Sequence, residues 1–360
     1  MRIAFVGILA FSLLFSSTAS GVPIYNGGKV YFVYKKKGDD GNDGLSVKRP
    51  LKTVQEALNR AMPGDTVVIL PGTYYEDLVT VRDGKPDAPI TVVGMPGAKI
   101  KGKREPGGKV IFVRNSYVTF EGLYLDGHYS KCNDSEDCYK DKLFYVMGSP
   151  ERHLKGVKLI NSTLDHALGE YVRFRFTDDS EVAYNKISHC GLREYKFGRG
   201  GKNGEGIYLG TSPNQLPEGV VDNSTNLKVH DNLIATYGSE CVDLKEGVHG
   251  VKIYSNACMK SHQETTAGIN LRGDNNEVFG NLIFYNDGAA VRVGGYDGYG
   301  VDNSIFGNFV DYCKFSGLKI LRNPQKKVCG NVATDTVEPL VYPEDSPYAS
   351  TAFKPCEDGK

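Results

Sequence analysis

The chain lacks tryptophan, lacks net formal charge, and lacks any apolar run long enough to cross a membrane. Each absence narrows the function. With 43 Lys and Arg against 43 Asp and Glu, the protein has no bulk positive charge with which to hold a nucleic acid. Its one sustained apolar run, Ile3 to Phe15, falls about five residues short of a membrane span. No Cys-x-x-Cys pair occurs among the eight cysteines, which argues against a zinc site. A helical repeat is disfavoured because the apolar segments show no i, i+3, i+4 pattern.

What is present points to strands and turns. Glycine makes up 43 of 360 residues, about 12% against roughly 7% in an average protein. Tyrosine, at 22 residues, is the main large aromatic. A hydrophobic content of 40% is too high for a disordered chain. Residues 1–21 read as a secretory signal peptide: a basic start, the apolar run, then small polar residues with cleavage expected near Ala19 or Gly21. The mature protein is expected to be secreted, soluble and monomeric. An even number of cysteines in a secreted chain suggests disulfides, with Cys132 and Cys138 the easiest pair to assign. Asn133, Asn161 and Asn223 begin glycosylation sequons.

An internal repeat is the strongest signal. The pattern [V/I]-x-x-Asn recurs at Asn185, Asn232, Asn256, Asn281, Asn308 and Asn331, and Asn161 fits the series. The intervals are 24, 47, 24, 25, 27 and 23 residues, the second being two periods. A second column alternates with period two: Val172-Arg-Phe174, Ile207-Tyr-Leu209, Val242-Asp-Leu244, Ile269-Asn-Leu271, Val291-Arg-Val293 and Leu318-Lys-Ile320. Short strands at a fixed period of about 24 residues with one Asn per turn describe an all-β, right-handed parallel β-helix with three short strands per coil. An amide at the same bend of each coil can bond the next coil, so these Asn are read as structural. Residues 22–360 are expected to form one such domain. Apolar residues at 51, 54, 58 and 61 form a helical stripe over about 50–61 that would cap the stack. The Pro-containing tail, about 329–360, would wrap the far end.

In the second column the apolar residues should face inward and their neighbours outward. The outward strip then carries Arg173, Arg175, Tyr208, Asp243, Lys245, Asn270, Arg272, Arg292 and Lys319. It reads as an exposed, mainly basic face suited to an extended acidic ligand. The column advances by 35, 35, 27, 22 and 27 residues, so two coils carry long insertions, at 193–203 and 211–225. Long loops on a rigid scaffold usually carry function. Beyond the strip, Tyr296 and Tyr299 sit in a glycine-rich loop where rings can stack on sugars. Such a groove suggests β-elimination in a uronic-acid polysaccharide. That reaction needs a cation to neutralise the uronate, a base for the C5 proton and an acid for the leaving oxygen. Lys245 and Arg272 should lie on neighbouring coils, with the arginine lowering the lysine pKa and Asp243 partly opposing this. Asn203, Glu205 and Glu240 lie close enough to hold Ca²⁺ or the substrate carboxylate.

At these residues the sequence resembles the chondroitinase B/alginate lyase family of polysaccharide lyases. The resemblance lies in Asn203-Gly-Glu-Gly-Ile-Tyr-Leu-Gly-Thr-Ser212, Glu240-Cys-Val-Asp-Leu-Lys-Glu-Gly247 and Leu271-Arg-Gly-Asp-Asn-Asn-Glu-Val-Phe-Gly-Asn281. It covers about 80 residues well, counted over these segments, and the remainder only as β-helix. The resemblance implies Lys245 as base, Arg272 as acid, and Asn203 and Glu240 as Ca²⁺ or carboxylate ligands. The sequence departs from that family at Gly273, where a histidine is common, and at Gly238, where a further acidic ligand is expected. A glycoside hydrolase on the same fold is the alternative, with Asp243, Asp274 and Asp297 as the carboxylates on offer. An epimerase and a non-catalytic glycan-binding protein are the other readings.

Overall fold

The computed structural model describes residues 28–103, 105, 107–128, 134–198, 204–334 and 336–357. The expected signal peptide and Cys132, Asn133 and Asn203 lie outside them. The fold is a right-handed parallel β-helix. Three long sheets run its length: sheet A has 11 strands, from Val30–Val33 to Lys327–Cys329, and sheets B and C have 10 each. Sheet B runs from Gly72–Tyr75 to Val332–Ala333, and sheet C from Leu78–Val79 to Val341–Tyr342. Each coil passes through A, B and C in turn, and the strand pairs within these sheets are parallel. Among the described residues no helix is long and apolar enough to cross a membrane.

The interior is a set of stacked apolar columns. In sheet C, Val172, Ile207, Val242, Ile269, Val291 and Leu318 are in register, as are Phe174, Leu209, Leu244 and Leu271. All belong to one hydrophobic cluster that extends from Tyr31 to Ala352. The expected capping helix is α1 (Val54–Arg60). Thr53 caps it by accepting from the Glu56 N–H, and Val54, Ala57 and Leu58 are buried against the first coil. The tail closes the opposite end, where Cys329 and Cys356 form a disulfide and the Ala352 carbonyl accepts from Asn331.

The asparagine column forms as its spacing predicts. The side-chain amide of Asn185 donates to Asn232 Oδ1 at 3.0 Å, and the chain continues through Asn256, Asn281, Asn308 and Asn331. Each amide also donates to a backbone carbonyl on a preceding coil, Leu159 for Asn185 and Val182 for Asn232. The residue before each rung has positive φ: Tyr184, Asp231, Ser255, Gly280, Gly307 and Gly330. That left-handed turn bends the chain from sheet A to sheet B and points the next side chain inward. Asn161 departs from the expected series. It takes the left-handed bend position itself (φ 49°) and is exposed, while Ser162 fills the rung and its N–H donates to Asn185 Oδ1. The period of the series was right and its phase there was off by one residue.

Cys241 and Cys258 form a second disulfide. Cys138 is also disulfide-bonded, and its expected partner Cys132 lies outside the described residues. Cys190 and Cys313 are free, against the expectation drawn from the even count. Both lie in the apolar interior, where a thiol packs as a small hydrophobe.

Candidate functional site

The outward row of sheet C is confirmed in register: Arg173, Tyr208, Asp243, Asn270, Arg292 and Lys319 follow one another on successive coils. Lys245 and Arg272 occupy the next equivalent positions, one residue after the paired Leu244 and Leu271. The environment of the row differs from expectation. The strip is largely buried: Asp243 and Asn270 are each 1% exposed, Tyr208 4% and Lys245 7%. The insertion at 211–225 covers part of it. Gln215, in the turn Pro213–Gln215, accepts from Arg173 at 2.7 Å, and Thr211 accepts from Arg175 at 2.8 Å. From the other insertion, which opens with α2 (Leu192–Tyr195), the chain returns at Gly204 against Gly191.

The strip is also not a net basic floor, because each cation has a polar or acidic partner. Arg173 pairs with Glu170 at 3.0 Å, Lys245 with Asp243 at 2.5 Å and Arg272 with Glu246 at 2.9 Å. The last is an ion pair without hydrogen-bond alignment, since Arg272 Nε and Glu246 Oε2 lack hydrogen-bond partners. Arg292 donates to Asn270 Oδ1 at 2.9 Å, and Lys319 to the Thr265 carbonyl at 3.0 Å. Asn270 in turn donates to Asp243 at 2.9 Å. Glu170 and Glu246 were not singled out in the sequence. The adjacency of Glu246 to Lys245 was the available signal.

The center of the strip is a stack of ionisable groups. The Tyr208 ring lies between the Arg173 guanidinium, 4.5 Å from its centroid, and the Lys245 ammonium at 4.6 Å. Burial works against the charge on Lys245, but the Asp243 carboxylate, then Tyr208 and Glu205, outweigh it and push the pKa up. This reverses the expected lowering: Asp243 lies in direct contact, whereas the Arg272 guanidinium is drawn off by Glu246 and packs 4.8 Å from the Tyr296 ring. Burial also pushes the Tyr208 phenol up, although Lys245 and Arg173 oppose the shift.

Beside this stack Glu205, Glu240 and Asp243 converge, with ligand oxygens within 4.8 Å of one another and all three buried. Burial, reinforced by the neighbouring carboxylates, raises Glu205 well above its ordinary pKa and raises Glu240 as well. Glu240 accepts from the Ser239 hydroxyl, and Glu205 from the Gly204 N–H at 3.0 Å. The two sequence departures now have steric reasons. A Cβ at Gly238 would meet the Gly204 carbonyl at 2.9 Å, so no acidic side chain fits there, and Glu205 supplies a carboxylate from the neighbouring coil. A Cβ at Gly273 would meet the Val248 carbonyl at 2.0 Å, which leaves no room for a histidine. Of the other carboxylates considered, Asp274 accepts from the Gly300 and Val301 N–H groups of the tyrosine loop, and Asp297 is exposed on that loop. Tyr296 is 61% exposed at the rim.

A family model described as "Protein of unknown function (DUF1565)" matches residues 36–278. The chain belongs to the DUF1565 family. Solved structures similar to this DUF1565 chain are mostly polysaccharide lyases, with a glycoside hydrolase among them. An alginate lyase from Paenibacillus sp. str. FPU-7 matches with a TM-score of 0.65 and 20% identity, over 79% of this chain and 93% of the other. A GH136 lacto-N-biosidase from Eubacterium ramulus matches with a TM-score of 0.57 and 14% identity, over 92% of this chain and 67% of the other. Likeness at these identities shows the fold alone. An alpha-1,3-galactosidase A from Akkermansia muciniphila is 36% identical over 75 residues, 21% of this chain, and the match spans 13% of that protein's length.

Proposed function

We propose that this DUF1565 protein is a secreted polysaccharide lyase of the chondroitinase B/alginate lyase kind, cleaving a uronic-acid polysaccharide such as alginate, pectate or a glycosaminoglycan by β-elimination. The observation that carries the reading is the convergence of Tyr208, Lys245 and the Asp243 carboxylate beside Arg272 and Arg292 on one face of sheet C. The arginines meet the uronate carboxylate, which makes the C5 proton more acidic. Lys245 is the base. Its ammonium first loses a proton to solvent, a step that the Asp243 carboxylate makes harder, and the free amine then takes the C5 proton. The C5–H electrons form the C4–C5 double bond, and the C4–O bond breaks. Arg272 is the donor to the leaving oxygen by resemblance, and the Tyr208 phenol is the second proton donor within reach of Lys245. Arg173, Arg175, Asn270, Tyr296 and Lys319 line the substrate path.

The three buried carboxylates have oxygens within 4.8 Å of one another, and with only the Lys245 ammonium among them they need protons or a further cation. An all-oxygen donor set suits a hard cation, and Ca²⁺ is the ion proposed for Glu205, Glu240 and Asp243, with Asn203 as the further ligand. When bound there it would neutralise the substrate carboxylate. The deciding measurement is the ultraviolet absorbance of unsaturated uronate formed from alginate, polygalacturonate or chondroitin sulfate, with Ca²⁺ and with chelator. A rising signal that is lost in Lys245→Arg supports the reading. No signal on any polymer overturns it.

One observation favours a second reading. Glu205 and Glu240 are pushed toward the protonated form while Asp243 is paired with a lysine, and such a division of carboxylates into acid and base is what glycoside hydrolysis uses. New reducing ends without ultraviolet absorbance would select it.

A further inference from the structure

A cavity of about 600 Å³ lies outside the strip, on the bend between sheets B and C. That volume is within the range of small-ligand sites. Tyr195, Tyr237, Lys260, His262, Tyr285 and Tyr312 line it. Its back wall is a ladder of left-handed residues, one per coil, where the chain leaves sheet B. His189, Tyr237, Lys260, Tyr285 and Tyr312 all have φ between 45° and 65°. The rings stack along the helix axis: His189 on Tyr237 at 5.1 Å and Tyr285 on Tyr312 at 5.0 Å.

The ladder is interrupted once. Lys260 stands where a ring would complete it, and its side chain lies on the Tyr237 side of the gap. It folds back onto Tyr237, with its ammonium 4.4 Å from that ring centroid and bonded to its hydroxyl. Tyr237 and Tyr285 are two coils apart, about 10 Å at the usual strand spacing. A pyranose ring needs a gap of this order to lie between two aromatic faces. Tyr195, from α2, closes the outer side and stacks parallel to His262 at 6.1 Å. Tyr195, Tyr285 and Tyr312 are each about half exposed, so a polar protein leaves a run of rings open to water. Among the described residues that line the cavity, Lys260 and Lys314 stand against one carboxylate, Asp287, which pairs with Lys314 at 2.8 Å and lies 2.9 Å from His262.

We infer that this cavity is a second glycan-binding site, distinct from the strip on sheet C, which takes one sugar ring of an acidic oligosaccharide between Tyr237 and Tyr285 with the Lys260 ammonium on its carboxylate. The ring's C–H face packs on Tyr285, with the Lys260 ammonium between the sugar and Tyr237, and the hydroxyls face His262 and Tyr195. Only the choice of a uronic-acid sugar rests on the lyase reading. The missing rung and the lysine that half-occupies it are independent of it.

The test is calorimetric titration of the full-length protein with short alginate and polygalacturonate oligosaccharides, read as sites per chain. Lys260→Tyr completes the ladder with a residue its neighbours already show is tolerated at this left-handed position. Tyr312→Asn shortens the ladder with another residue that accepts that conformation. The expected result is that Lys260→Tyr loses one binding site per chain and that Tyr312→Asn weakens the same site about tenfold, while release of unsaturated uronate is unchanged in both. The inference is overturned if both variants bind with wild-type stoichiometry and affinity, if the wild-type protein binds none of the fragments, or if neutral galacto-oligosaccharides bind as tightly as the acidic ones. If no polymer yields unsaturated uronate but Lys260→Tyr still loses a site, the lyase reading fails and this site remains.

Discussion

Two columns of buried polar side chains run along the molecule, and they differ in kind. The asparagine rungs at the bend from sheet A to sheet B repeat one residue on six successive coils; the first five amides are satisfied by the next rung and a carbonyl, and Asn331 by carbonyls alone. The outward row of sheet C occupies equally equivalent backbone positions, yet reads Arg, Tyr, Asp, Asn, Arg, Lys. Equivalent positions in a solenoid present nearly the same environment. A residue that only has to satisfy that environment can recur unchanged. A row in which each coil differs from the next, with charges buried at a cost in desolvation, is not accounted for by that repeating environment. The contrast separates structure from candidate chemistry without a bound ligand.

The comparison can be broken most directly at its two centers. Lys245→Arg keeps the charge opposite Asp243 but removes the proposed base. It should reduce elimination by about 10³-fold with little change in melting temperature, and a folded variant with full activity would return the row to surface structure. Asp243→Asn should move the pH profile. With its carboxylate removed, burial dominates and the Lys245 pKa falls, so the pH at which activity rises should move down, Tyr208 and Glu205 still opposing the shift. A profile that stays in place would remove Lys245 as the titrating base. Asn256→Ala should do the opposite of Lys245→Arg: about 2 kcal/mol of stability lost, from neighbours left unsatisfied on both sides, and per-molecule activity retained, read by denaturant unfolding.

The carboxylate cluster gives a smaller, signed effect. Glu205 and Glu240 have raised pKa values when folded, so the folded state holds more protons than the unfolded state above the ordinary glutamate pKa. Stability should therefore fall as pH rises from about 4.3 through the raised values. Glu205→Gln should flatten that fall, and Ca²⁺ should raise the melting temperature at neutral pH in the wild type and less in the variant. Tyr296→Ala, at the exposed rim, should weaken substrate use only about threefold through KM.

The alternation of Val172, Phe174, Ile207 and Leu209, the Asn period and the helix at 54–60 made the fold legible. They are short-range patterns, and a parallel solenoid is built from short-range patterns repeated. The row Arg173 to Lys319 was legible for the same reason. The nearness of Glu205 and Glu240 was legible too, but the burial of the row and its compensation by Glu170 and Glu246 were not, because they depend on side-chain directions and on how the 211–225 insertion packs over sheet C. The interrupted ladder at Lys260 was missed as well, since unequal bend lengths hide its register along the chain.

The sequence by itself determined the coil: which side chains face in, which face out and which rung follows which, because strand alternation and a fixed period leave one register that buries the apolar set. The tertiary structure decided the electrostatics. A lysine beside an arginine in the register became a lysine held charged by an aspartate, because Coulombic coupling follows distance and local dielectric, and the packed site puts Asp243 in contact while Glu246 draws Arg272 away.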